Sequence, residues 1–330
     1  MDTNVNANFL NPEWWKTAKP EDVEAEIKKG AAINARDSDN KTPLIHAVRC
    51  TKNSEIIQKM IDYGADVNAL DGYGAPLLFD LFEDDDASGF WCDDILASME
   101  ILIKHGAKVD DDVLCSAVNF PYWNGDCYDI IKTLIEHGAD VHYKTEDGTT
   151  LLMMAGEGYL YCFDDKAKAL LDYGAEIDAK DSKGRTALMY VIATGYYFLS
   201  TLLSRGADVN IKDKYGITAL MYLVGEPRIE SGHNSGFDFD YERTHIDNVL
   251  EALEDLIKYG ADINAQDNEG KTALIHAIDS PRYDKEDSIQ IVEALIKHGA
   301  DLNIKDNQGK TALTYALEKL YPVNEGEHNE

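Results

Sequence analysis

Residues 259–274 read YGADINAQDNEGKTAL. Most of this string returns elsewhere: KGAAINARDSDNKTPL from Lys29, YGADVNALDGYGAPLL from Tyr63, YGAEIDAKDSKGRTAL from Tyr173, RGADVNIKDKYGITAL from Arg205 and HGADLNIKDNQGKTAL from His298. Self-similarity at a period of about 33 residues marks a stack of short units, each too small to bury its own apolar face.

One unit, read from Thr42, gives the local structure. Thr42 suits an N-cap and Pro43 the first helical position. Leu44, Ala47 and Val48 then fall on one helical face, and Ile56, Ile57, Met60 and Ile61 make a second stripe. Gly64 suits the left-handed residue that ends a helix, and Asp71 and Gly74 suit a tight turn. A unit is therefore a helix, a return helix and an extended finger.

These residues together resemble the ankyrin repeat, over residues 11 to 322. The resemblance implies an all-α ankyrin-repeat solenoid of about eight helix pairs and a C-terminal half repeat, with hairpin-like fingers. It reads as one domain over residues 1–330: a degenerate N-terminal capping repeat at 11–34, repeats over 35–305, a half repeat at 306–322 and a disordered tail at 323–330. Trp14 and Trp15 are assigned to packing in the cap.

The glycines ending the second helices, Gly30 to Gly299, are separated by 34, 42, 32, 36, 32, 54 and 39 residues. The excess falls into three insertions between helices, at 83–94, 225–247 and 279–287. The fourth unit departs further: after Gly106 the chain reads AKVDDDVLCSAV, without the Asp-x-x-Gly-x-Thr finger. A gap lined by Asp110, Asp111 and Asp112 is expected there. In the fifth unit Thr145 stands where Asp is usual, and no unit keeps the family's histidine after Thr-Pro-Leu.

Two residues after the leucine of the first helix the chain reads His46, Phe79, Ser116, Met154, Tyr190, Tyr222, His276 and Tyr315. The resemblance implies that this position points into the concave groove. His46, Phe79, Met154, Tyr190, Tyr222, His276 and Tyr315 are thus the candidate protein-binding residues, since aromatic rings bury large areas at low entropic cost. Truncating Tyr190 and Tyr222 is expected to weaken binding and leave stability nearly unchanged. The other reading is that the rings stack along the groove and cover one another.

The formal net charge is −30, from 61 acidic and 31 basic residues. That argues against nucleic acid and anionic membrane surfaces and fits a basic protein partner. No apolar run is long enough for a membrane span, and the N-terminal segment lacks the basic and apolar parts of a signal peptide. The five cysteines, odd in number and without a CxxC, fit reduced thiols in a cytoplasm. A monomer is expected.

Asp84, Asp86 and Ser88 alternate ahead of Gly89 like the start of a calcium loop, but Ile95 stands where the bidentate Glu belongs, so an acidic solvated loop is the plainer reading. His233, Asp238, Asp240 and His245 lack metal-site spacing. No GxSxG, phosphate-binding GxxxxGK[ST] or HExxH occurs, so neither an enzyme nor a cofactor is expected. The function implied is non-catalytic binding of a basic protein in the concave groove. The alternatives are an acidic immunity protein that neutralises a basic toxin or nuclease, and a calcium-responsive module.

Overall fold

The computed structural model describes residues 6–51, 53–82, 92–120, 127–157, 163–194, 199–225 and 246–321. The segments 83–91 and 226–245 lie outside them, and with them the calcium-like loop and most of two insertions, as does the tail at 323–330. Two compact units are present: Met1–Tyr143 with Gly158–Ala175, and Lys144–Glu157 with Glu176–Glu330.

The first unit opens with α1 (Pro12–Trp15), α2 (Pro20–Lys28), α3 (Pro43–Cys50) and α4 (Ser54–Asp62). A 3-10 turn (Leu77–Leu81) follows, then α5 (Cys92–Lys104), α6 (Asp111–Asn119) and α7 (Cys127–Glu136). α8 (Leu151–Glu157) belongs to the second unit and α9 (Phe163–Asp172) to the first. The second unit continues with α10 (Ala187–Thr194), α11 (Leu199–Ser204), α12 (Ala219–Val224) and α13 (Ile246–Lys258). It ends with α14 (Ala273–Asp279), α15 (Lys285–Lys297) and α16 (Ala312–Leu320). The described residues hold no strand, only two isolated bridges, Leu70 with Pro76 and Lys144 with Thr150.

Each unit is two rows of helices. In the second, α8, α10, α12, α14 and α16 pack in series, and α11, α13 and α15 form the outer row. In the first, α2, α4, α5, α7 and α9 form one row, and α1, α3, the 3-10 turn and α6 the other. The faces read from sequence are the buried ones: Leu44, Ala47, Val48, Ile57 and Met60 are fully enclosed. Thr42 caps α3 through the Ile45 amide at 3.4 Å, and Thr218 and Thr272 do the same for α12 and α14. At the N-terminal cap, Phe9 and Trp15 are fully buried, and the Trp15 indole donates to the Phe9 carbonyl at 2.9 Å.

The insertions are partly helical. α5, α13 and α15 have 13 residues each against 9 in α4, so part of each extra stretch adds about a turn to the second helix. One polar core group was not foreseen. Lys166 is 1% exposed, and its ammonium donates to the Val118 and Phe120 carbonyls at 2.6 and 2.8 Å, closing the C-terminal end of α6.

Candidate functional site

The fingers are built on one carboxylate each. Asp213 Oδ1 accepts from the Tyr215 and Ile217 amides, both at 2.8 Å, which folds the turn. Its Oδ2 accepts from the Tyr222 hydroxyl at 2.9 Å, nine residues on in the first helix. The same pair of links recurs at Asp37 with His46, Asp181 with Tyr190, Asp267 with His276 and Asp306 with Tyr315, with Oδ2 contacts of 2.7 to 3.0 Å. In the fifth unit Thr145 takes the turn role, its hydroxyl accepting from the Thr149 amide at 3.0 Å, and its ninth residue on is the apolar Met154.

This corrects the expectation for the candidate stripe. Tyr190, His46, Met154 and Tyr222 are 1, 4, 4 and 7% exposed, so they are core side chains rather than rings presented to a groove. His276 and Tyr315 are half-buried and held by their finger carboxylates. The bond to the finger carboxylate is made by the residue one position after the place of the family's histidine. Phe79 is corrected in register: counted from Asp71, the equivalent of His46 is Asp80, which is 2% exposed and faces the Arg49 guanidinium at 3.6 Å. Phe79 sits half-buried on the 3-10 turn beside it.

Burial and these bonds shift the titration of several clamp side chains. Burial pushes the Tyr190 and Tyr222 hydroxyls well above the ordinary phenol range, and Tyr315 is pushed up to about 12, by burial and then by Asp306. Burial holds the His46 imidazole below its ordinary value against the pull of Asp37. Burial would raise Asp37 and Asp267, but the amides and histidines bonded to them outweigh it and hold both carboxyls low. In the second unit Asp181 also takes the Arg185 Nε at 2.7 Å, and Arg185 lies over the Tyr190 ring.

Neighbouring fingers are tied by backbone. The amide after each finger Asp donates to the preceding finger: Gly72 to the Asp39 carbonyl, Lys214 to Lys183, Asn268 to Tyr215 and Asn307 to Glu269, at 2.8 to 2.9 Å. A second ladder uses the Asn four residues after the helix-ending Gly. Asn210 donates to the Gly260 carbonyl at 2.9 Å and accepts from the Asp262 amide at 2.7 Å, and Asn34, Asn68 and Asn264 do likewise.

With their carboxylates bonded internally, the fingers expose tip side chains that the helix-based reading missed: Tyr73 is 92% exposed and Tyr215 59%. Their signal was the position two residues after the finger Asp, outside any helix. Among the described residues no cluster of three or more metal-ligating side chains occurs, and no helix is long and apolar enough to cross a membrane. Cys127 is buried, while Cys115 is half-buried with its thiol pushed up to about 12, by burial and then by Asp112 and Asp111.

In the fourth unit no finger forms. Asp110 instead caps α6 through the Val113 amide at 3.2 Å, and Asp111 accepts from the Asp140 amide at 2.8 Å. Beside this stretch, within the first unit, lies a cavity of about 330 Å³ lined by Val67, Leu70, Pro76, Leu77, Ala107 and Lys108, among others.

Comparison with known proteins agrees with this architecture. Residues 114–213 and 245–324 match a family model described as ankyrin repeats (3 copies), and residues 25–82 one described as ankyrin repeats (many copies). "Ankyrin repeat and SOCS box protein 6" from Pongo abelii is 27% identical over 163 residues, and that from Homo sapiens 26%. These matches cover 41% of this chain and 38% of the relatives' length. The crystal structure of an ankyrin repeat domain from Acinetobacter baumannii AYE has 28% identity and a TM-score of 0.48, covering 63% of this chain and 91% of its own. Repeated string, paired helices, finger turns and matched models agree: the chain belongs to the ankyrin-repeat family, whose repeats generally mediate protein–protein interaction and are typically non-enzymatic.

Proposed function

We propose that this chain is a non-catalytic binding module for a basic protein. The observation that carries the reading is the division of polar groups. The finger carboxylates that shape the fold are bonded internally, so the acid excess left over faces outward on a frame already ordered. A net charge of −30 steers a cationic partner, and a preordered frame loses little entropy on docking.

The contact residues differ from the stripe taken as a whole. Tyr190, Tyr222, Met154 and His46 support the frame from inside. In the second unit the half-buried His276 and Tyr315 and the exposed Tyr215 supply contact area, and in the first unit Phe79 and Tyr73 do so. Within each unit the partner makes its contacts through these partly exposed members.

The test is capture from the source cell's own lysate on the immobilised chain, followed by identification and kinetics. A specific basic protein is expected, with an association rate that falls steeply from low to high ionic strength. Specific retention of an acidic or neutral protein, or an on-rate indifferent to salt, overturns the basic-partner reading. The same charge favours a second reading, an inhibitor that occupies the phosphate-binding site of a basic toxin or nuclease. It predicts that the captured protein has nuclease activity which the chain suppresses at a one-to-one ratio.

A further inference from the structure

The geometry points to the place of the missing fourth finger as the docking site for a partner loop. We propose that a basic, turn-forming loop of the partner seats there, donates a backbone N–H to the Tyr73 carbonyl and sends an apolar side chain into the cavity. This deepens the binding-module reading above and rests on it.

Three observations converge on this place. The first is the backbone ladder. The carbonyl two residues after the finger Asp accepts from the next finger at Asp39, Lys183, Tyr215 and Glu269. Tyr73 is the same position on its finger, and among the described residues no backbone amide reaches its carbonyl. The second is the space. A Cβ added to Gly184, Gly216 or Gly270 would meet the next finger's backbone at 3.0, 2.6 and 2.8 Å. One added to Gly74, at the same finger position, meets nothing within 4 Å among the described residues.

The third is the side-chain chemistry. The residue before the finger Asp usually donates to the next finger: Arg36 to the Leu70 carbonyl at 2.8 Å, Lys212 to Gln266 at 2.7 Å and Gln266 to Lys305 at 3.0 Å. Leu70 has no such donor; it is 47% exposed and lines the cavity with Val67, Pro76, Leu77 and Ala107. The chain thus offers an unused acceptor edge beside an apolar pocket. The segment standing for the finger, Lys108–Asp112, holds three carboxylates and one ammonium, which selects a cationic loop.

The chain's own seventh finger is a suitable probe, because residues 209–220 (VNIKDKYGITAL) hold the turn, a net positive charge and the Lys214 amide that donates to Lys183. A cyclised, fluorescently labelled copy is titrated against the full chain by anisotropy, and its footprint is read by hydrogen exchange. Binding is expected to protect residues 70–76 and 107–112. N-methylation at the amide corresponding to Lys214 should weaken it about tenfold, the size of one lost hydrogen bond.

Leu70→Glu in the chain should weaken binding by a similar factor. Leu70→Ala, melted beside it, serves as the variant whose folding is secure. No binding at millimolar peptide, protection elsewhere, or indifference to both N-methylation and Leu70→Glu overturns the proposal. If Leu70→Glu leaves capture of a lysate partner intact, the groove falls and the module reading stands. If capture itself fails with the unaltered chain while the peptide binds as described, the module reading falls and the groove stands.

Discussion

The carboxylate of Asp213 has two tasks, one oxygen folding the finger and the other holding the Tyr222 hydroxyl in the next helix. Tyr222→Phe removes only the second. It leaves a carboxylate oxygen short of a donor in a residue 7% exposed, and should cost about 1–3 kcal/mol in urea unfolding. Tyr222→Ala adds a cavity and should cost about 3–5 kcal/mol. A Tyr222→Ala protein as stable as the parent would restore the exposed-ring reading. The His46–Asp37 clamp gives a pH signature. The folded imidazole sits below its ordinary value, so the unfolded chain takes up the proton first. Stability from this group is complete above the unfolded value of about 6.5 and is lost as pH falls through that value toward the folded one. Lys41 and Arg49, also close to the ring, act in the same direction. His46→Tyr, the residue used in three other units, should flatten the melting temperature between about pH 7 and 5 relative to the parent.

Stacked elements are joined by ladders as well as by apolar faces. Asn210 contributes two bonds to the following Gly-Ala-Asp, whereas Asn303 on the final finger bonds only within its own turn, to Asp301. Both side chains are exposed, so Asn210→Ala should cost on the order of 1 kcal/mol and Asn303→Ala should lie near zero. Equal effects measured by chemical unfolding would show that the ladder bonds add nothing beyond local turn formation. The seam matters because each repeat meets only its neighbours, so stability is close to a sum of repeats and interfaces.

Across the molecule the acid excess opposes compaction. At low salt each unit's carboxylates repel over about 30 Å, and at 0.15 M over about 8 Å. The melting temperature should therefore rise by a few degrees from about 0.01 to 0.15 M sodium chloride, even as association with a basic partner slows. A melting temperature that falls with salt would mean that favourable ion pairs dominate the surface. The surface pairs are mostly exposed, such as Lys28–Glu24 and Lys144–Glu176, and pairs of this kind contribute little.

The repeat, its two helical faces, the capping Thr and the terminal Gly were legible in the sequence, because they depend on periodicity and local backbone preference. So was the missing finger after Gly106, an absence visible by comparison among the units. The direction of the stripe side chains was not legible. Periodicity places Tyr190 and Tyr222 off the first helix's apolar line, yet a carboxylate nine residues upstream supplies the acceptor that makes burying a hydroxyl favourable. Phe79 was misplaced for a related reason: Leu77 and Leu78 both look like the core leucine, and only counting from Asp71 picks Asp80. Local signals determine which residues form helices and turns. Which face is covered, which polar group finds a partner and which edge stays open depend on contacts about thirty residues apart in sequence, and the stacked structure alone decides them.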